Sequence, residues 1–303
     1  MIYFFKQLKR FYEFNQTKYI GYFFLLPAIT LFAIFSWYPI ISGFAISFMD
    51  YSLNPNIPSK FVGLQNYQKM ISDPLFYKAW INVVIFVGLG LLIGYIIPII
   101  LAITINEMRR LRGFFRLGFY LPAILPLVVV VVMWKYLYGP EYGFIDTMFN
   151  YLHIQPIPNG FINNKNTAML ALVIMSTWKN AGATMIIYLA ALQGVPEQLY
   201  EAAELDGASI WQRVKHITIP QILYVMIILM ILQIIGTVKV FVEPFIMTKG
   251  GPNNATLTVV LRIYNIAFRY YDMGWATAMC LTLFIVLIII TYIYIKLTRK
   301  LSE

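Results

Sequence analysis

Of the 303 residues, 60% are hydrophobic and only 12% charged, and the mean hydropathy is +0.71. A water-soluble domain would carry about 25% charge, and no soluble core of this chain length could absorb so much apolar surface. A single cysteine, Cys280, and two isolated histidines, His153 and His216, exclude a disulfide framework, a thiolate metal site and a histidine cluster, so no bound metal is expected.

In chain order, Lys6, Lys9, Arg10 and Lys18 precede an apolar stretch at 20–49. It is too long for the roughly 7–15-residue core of a signal peptide, which predicts a first spanning helix bent at Pro27 or Pro39. Residues 50–78 form a loop with turns at Asn54-Pro55 and Ile57-Pro58, before a second span at 79–106. Arg109, Arg110, Arg112 and Arg116 lead into a third span at 117–138, and a loop at 139–166 contains Pro156-Ile157-Pro158. The fourth span, 167–192, carries one charge, Lys179. A polar segment at 193–219 separates it from a fifth span at 220–246. After Thr248-Lys249-Gly250-Gly251-Pro252, the residues Leu257, Val260, Leu261, Tyr264 and Phe268 recur at helical spacing. They predict a short helix at the membrane interface before the sixth span, 273–295. A helix needs roughly 20 apolar residues to cross the hydrocarbon, so the fold class is an all-α membrane protein with six transmembrane helices. Residues 1–303 form one multi-pass transmembrane domain.

Short cytoplasmic loops carry excess Lys and Arg. The tail before 20, the loop at 109–116, Arg213 and Lys215, and the tail residues Lys296, Arg299 and Lys300 share one side and hold 13 of the 23 basic residues. Both termini and the 193–219 segment are therefore expected in the cytoplasm, with the chain in the cell (cytoplasmic) membrane. The net charge of +10 is mostly this topological bias, with little reason to invoke nucleic acid.

Catalysis is not expected. No Gly-x-x-x-x-Gly-Lys-Ser/Thr phosphate loop occurs, and Glu243 is the one carboxylate near the end of a predicted span. No catalytic residue is assigned.

The segment 200–220 has a local grammar of its own. Pro196 suits the first turn of a helix, and Glu197 and Glu201 favour its positive end. Gly207 can stop it in a left-handed cap. Ser209 can cap a second short helix through Lys215, with Pro220 opening the fifth span. Ala202 and Ala203 leave a narrow surface beside Glu201, Glu204 and Asp206. An insert for a partner's groove and an ordinary capped connection both satisfy these residues.

Glu201-Ala202-Ala203, Gly207 and Ile217-x-Ile219-Pro220 resemble the cytoplasmic EAA loop of ABC importer permeases, with Ile219 where the family more often has leucine. The resemblance extends to Leu26-Pro27, Ser47-Phe48, Asn66-Tyr67, Leu121-Pro122, Trp178, Leu189-Ala190-Ala191-Leu192-Gln193, Thr248-x-Gly250-Gly251-Pro252 and Tyr271-x-Met273-Gly274. These are similar to the carbohydrate branch, the membrane subunits of sugar and glycerol-phosphate importers. The resemblance implies a permease forming half of the path for a sugar or oligosaccharide, or for another solute such as a phosphate ester. It also implies two ATP-binding subunits that carry the ATP and Mg, a second and non-identical permease, and an extracytoplasmic substrate-binding protein. By the same resemblance the loop between spans four and five is a coupling helix. Glu201, Ala202, Ala203, Asp206 and Gly207 contact the ATPase, and Pro220 leads into the fifth helix. An ion-coupled carrier, the alternative class, would need intramembrane acids, which are scarce.

Polar groups in hydrocarbon are costly unless paired. Trp178 and Asn180 in the fourth span and Gln233 and Thr237 in the fifth are therefore expected to face the path or another subunit. Lys179 would line a polar cavity, pair across subunits or snorkel to an interface. Lys239 and Glu243, one helical turn apart, could pair, but their distance from Pro220 along the helix puts them near the outer interface, and anchoring there is the expectation.

Overall fold

The computed structural model describes residues 22–302 except 55, 109, 141–142 and 154–159. The basic residues Lys6, Lys9, Arg10, Lys18 and Arg109, the turn residue Pro55 and the Pro156-Ile157-Pro158 segment lie outside the described residues, as does the side chain of Lys300.

Backbone groups in hydrocarbon must find partners within their own segment, and the chain meets this with helices. Helix α1 is Tyr22–Ile46 and ends before a short ladder, β1 (Met49–Asp50) against β2 (Lys60–Phe61), antiparallel. Helices α2 (Gln65–Ser72) and α3 (Pro74–Glu107) follow. Helix α3 begins five residues before the predicted 79, because Asp73 caps it by accepting from the Leu75 amide at 3.0 Å, and Pro74 occupies the first turn.

The third span departs from expectation. Instead of one helix over 117–138 there are two, α4 (Arg112–Ile124) and α5 (Leu127–Leu137), bent by 98°. The cause is Pro126, which pushes the preceding residue out of the helical region; Leu125 sits at φ −64, ψ 142. Pro122, by contrast, stays inside α4.

Beyond α6 (Phe144–Tyr151) the chain enters α7 (Ala168–Gln193), the centre of the bundle, with 14 of its 26 residues buried. Helix α8 (Glu197–Leu205) connects to α9, built from Ile210–Arg213, a π turn at Val214–Thr218 and Ile219–Val238. Pro220 therefore does not open the fifth span, which begins ten residues earlier, at Ile210. Helices α10 (Val242–Met247), α11 (Val259–Phe268) and α12 (Met273–Ser302) complete the chain. Five helices are long and apolar enough to cross a membrane, and a sixth span results if the bent α4–α5 pair is one crossing.

Three prolines inside helices share one feature. The π turns at Ala33–Trp37, Gly90–Tyr95 and Val214–Thr218 lie just ahead of Pro39, Pro98 and Pro220. Proline cannot donate to the carbonyl four residues back and its ring crowds it. For these prolines that carbonyl belongs to Phe35, Gly94 and His216, each within its π turn; the wider i→i+5 bonding lies just before it, with the Tyr38 amide donating to the Ala33 carbonyl and the Ile219 amide to the Val214 carbonyl. Of the two candidate bends in α1, the irregular turn thus belongs to Pro39.

Packing is tightest where small residues let backbones meet. A Cβ on Gly182 of α7 would overlap the Phe119 carbonyl of α4, and one on Gly274 would overlap the Met49 carbonyl and the Asn66 amide. Asn66 Nδ2 donates to the carbonyls of Ser47 and Met49 at 2.9 Å each, and the Ser47 hydroxyl lies 2.8 Å from the Tyr67 hydroxyl. Three segments remote in sequence, at Ser47–Met49, Asn66-Tyr67 and Gly274, thus form one clasp at the end of the bundle opposite α8. Helix α11, the short helix expected after the Gly250-Gly251-Pro252 turn, belongs to the same end and packs against the protein, with Val259, Leu261 and Ile266 buried. Its Arg262, 5% exposed, donates to Asp73 Oδ2 at 2.8 Å and lies over the rings of Trp275 and Tyr270.

Candidate functional site

Two features stand out: a polar cavity beside α9 and a solvent-exposed loop at the opposite end of the same helix.

The cavity encloses about 500 Å³ between α3, α5, α7 and α9. Residues 176, 177, 180 and 184 share one face of α7 by helical periodicity, and that face supplies Ser176, Thr177, Asn180 and Thr184. From α9 come Gln233 and Thr237. Gln233 Nε2 donates to the Gly90 carbonyl at 2.6 Å, and the Thr237 hydroxyl donates to the Gln233 carbonyl at 2.7 Å. Asn180 Nδ2 donates to the Ser176 carbonyl at 2.9 Å. Gly94 keeps the wall thin, since a Cβ there would sit 3.1 Å from both Gln233 Nε2 and Thr177 Oγ1. The side-chain carbonyl oxygens of Asn180 and Gln233 have no partner among the described residues, which leaves acceptors facing a lining that also offers hydroxyl donors.

Lys239 and Glu243, read from the sequence as interfacial anchors that could pair, also border this cavity. Helix α9 stops at Val238 and α10 starts at Val242, so the helical relation that would bring residues four apart together is broken. The ion pairs among the described residues are Lys69–Asp272, Arg213–Glu204 and Arg262–Asp73. One ammonium and one carboxylate are therefore available at the cavity rim, although a sequence in which they lie one turn apart suggests mutual neutralisation.

Trp178 and Lys179 part from their neighbours. Trp178 lines a separate apolar cavity of about 540 Å³ with Phe114, Phe119 and Trp134, its ring 5.6 Å from that of Trp134. Lys179 is only 8% exposed and its Nζ donates to the Ala123 carbonyl at 2.8 Å. A lysine at the middle of a spanning helix costs about 2.5–3.5 kcal/mol. Here the ammonium meets a carbonyl in the last turn of α4, one of four that lack an intrahelical donor and carry the negative end of the helix dipole. Of the five residues expected along the path, the structure brings Asn180, Gln233 and Thr237 together and separates Trp178 and Lys179 from them.

The loop folds as its local chemistry requires. Pro196 is the N-cap of α8, one position before the first turn expected for it, with Glu197 in that turn. Gly207, at φ +74, ends the helix in a Schellman motif: the Ala208 amide donates to the Ala203 carbonyl at 2.9 Å and the Gly207 amide to the Glu204 carbonyl at 3.0 Å. Ser209 and Gln212 then form a capping box, and the helix it opens continues without interruption into α9. Two contacts tie α8 to α9, Tyr200–Thr218 between hydroxyls at 3.1 Å and Glu204–Arg213 at 3.6 Å.

No residue of α8 is buried. Glu201, Ala202, Asp206, Gly207 and Pro220 are exposed, and Ala203 is half-buried. Sequence reasoning missed Leu205, Ile210 and Trp211, which stand out at 90%, 60% and 72% exposure beside the acidic residues. The signal was present, three large apolar side chains within a polar segment, but the spacing across the Gly207 turn hid their common exposure.

Residues 90–300 match the family described as binding-protein-dependent transport system inner membrane component. The chain is 31% identical to the probable ABC transporter permease protein YurN of Bacillus subtilis, over 95% of this chain and 99% of that one. It is 31% identical to the trehalose/maltose transport system permease protein MalF of Thermococcus litoralis, over 95% and 96% of the two chains. With the lactose transport system permease protein LacF of Rhizobium radiobacter it shares 34% over 87% and 86%. Among solved structures, a bacterial ABC transporter involved in import of the acidic polysaccharide alginate superposes with a TM-score of 0.84, at 25% identity, covering 97% of this chain and all of that one.

Proposed function

The chain belongs to the family of binding-protein-dependent transport system inner membrane components, and from that premise we propose that it forms half of the translocation path of an ATP-driven sugar or oligosaccharide importer. The similar proteins include permeases of trehalose/maltose and lactose systems. The cavity of amides and hydroxyls, with one charge of each sign at its rim, matches the donors and acceptors of a polyhydroxyl solute. Asn180, Gln233 and Thr237 contact the solute in this reading.

Helix α8 and the turn at Gly207 are the coupling element, resting on an ATP-binding subunit in the cytoplasm. Glu201 and Asp206 offer charge-assisted hydrogen bonds, Ala202 and Ala203 allow close approach, and Leu205, Ile210 and Trp211 supply apolar contact. The placement of Arg110, Arg112, Arg116, Arg213, Lys215, Lys296 and Arg299 on this side supports a cytoplasmic loop and cytoplasmic termini. Two ATP-binding subunits holding ATP and Mg, a second, non-identical permease and an extracytoplasmic binding protein complete the machine. A structure of the alginate transporter in complex with its periplasmic protein supports the last of these.

The observation that carries this reading is the single helix α9, bound at one end to an exposed loop through Tyr200–Thr218 and Glu204–Arg213 and bordering the cavity at the other. Reconstitution tests it. Uptake of a labelled oligosaccharide into vesicles holding both permeases and the ATPase should require ATP and the binding protein together; uptake driven by an ion gradient alone would refute it.

A further inference from the structure

We propose that Lys179 is a positioning residue that holds the third span in its broken form and so fixes where α5 borders the polar cavity. Both halves of this span touch α7, α5 through the Trp134–Trp178 ring contact, but the break gives α5 a second neighbour that α4 lacks. Helix α4 is bound to α7 by the Gly182–Phe119 backbone approach and by the Lys179–Ala123 hydrogen bond at 2.8 Å. Helix α5 leans on α10, where Lys135 Nζ reaches the Ile246 carbonyl at 3.4 Å, and its first residue, Leu127, lines the cavity together with Glu243.

Pro126 determines that the helix stops, but it does not supply partners for the carbonyls it strands. At the end of a soluble helix water would do so; within the membrane those carbonyls need a donor from the protein. Lys179 is the one described side chain that donates to the last turn of α4, and it brings a full positive charge to the negative end of that helix. Ala123 precedes the extended residue Leu125 by two positions, so the contact acts at the hinge itself. When α10 moves during transport, α5 is drawn between it and α7 while α4 stays fixed to α7, so the strain falls at this hinge. This last step rests on the transport reading; the geometric claim does not.

The test uses the full assembly in lipid vesicles, with Cys280 replaced and spin labels at Leu117 on α4 and Val129 on α5, which are 62% and 56% exposed. Interlabel distances are compared for the parent and for K179M, K179Q and K179R. The expected result is a shifted or broadened distance distribution in K179M that K179R restores. ATP-driven uptake by K179M should fall by roughly an order of magnitude while hydrolysis loses its dependence on the binding protein. A parent-like distribution in K179M overturns the proposal; should K179M fail to assemble, K179Q is measured in its place with the same two outcomes. Absence of ATP-driven uptake by the parent assembly would instead refute the transport reading and leave the distance comparison intact.

Discussion

Asn180 and Gln233 show how residue-level chemistry becomes a site. Each spends its amide donor on a neighbouring carbonyl, of Ser176 and Gly90 respectively, and is thereby held in one orientation with its acceptor oxygen unused. Gln233→Leu keeps the volume but removes both the anchor and the acceptor. Uptake is expected to fall at least about tenfold, a loss on the scale of one buried hydrogen bond to substrate, with membrane abundance unchanged; parent-like uptake would remove Gln233 from the path. Gly182 makes the opposite kind of contribution, through what it lacks. Gly182→Val would drive a side chain into the α4 backbone at Phe119, so reduced assembly and a lowered detergent melting temperature are expected. At this scale the sequence was informative about which polar residues lie in hydrocarbon and silent about which way they point. Trp178, Lys179 and Asn180 are consecutive, and only rotation about the helix axis separates an apolar cavity, a helix end and the polar cavity.

At the scale of elements, the six apolar segments were legible because the bilayer imposes both length and hydropathy. Their irregularities were legible only where proline chemistry has a single outcome. Leu125-Pro126 breaks the third span, yet Leu121-Pro122 does not, and hydropathy is blind to the difference. The fifth helix begins at Ser209's capping box because the π turn at Val214–Thr218 lets the backbone pass Pro220; the proline alone reads as a start. The clasp of Ser47, Asn66, Met49 and Gly274 joins motifs whose resemblance to a family was visible in sequence while their contact was not, since each pair is separated by a loop or by most of the chain. The Arg262–Asp73 pair belongs to the same end and is buried from both sides. Asp73→Asn leaves one acceptor oxygen for two tasks, so with the α3 cap kept the buried Arg262 guanidinium faces an amide nitrogen and loses its ionic partner. Loss of one partner of such a pair costs about 3–5 kcal/mol. A clear drop in the melting temperature of the purified chain is expected, and an unchanged one would show that the pair is not holding α3 to α11.

For the whole molecule, the surface that is left uncovered matters as much as the core. In α1 none of the residues is buried along its most apolar stretch, a face left for lipid or a partner. In the proposed coupling, force would enter at the exposed Glu201–Gly207 segment, cross the Tyr200–Thr218 and Glu204–Arg213 contacts into α9, and reach Gln233, Thr237, Lys239 and Glu243 at the cavity. The turn at Gly207 is the point through which this route is most exposed to test, since φ +74 suits glycine and nothing crowds the position. Gly207→Pro cannot adopt that angle but touches no packed neighbour. The decisive measurement is ATP-driven oligosaccharide uptake, with ATP hydrolysis followed in the same vesicles, for the parent and Gly207→Pro assemblies. The account predicts a variant present in the membrane at parent abundance that neither imports nor responds to the binding protein; uptake at the parent rate would contradict it.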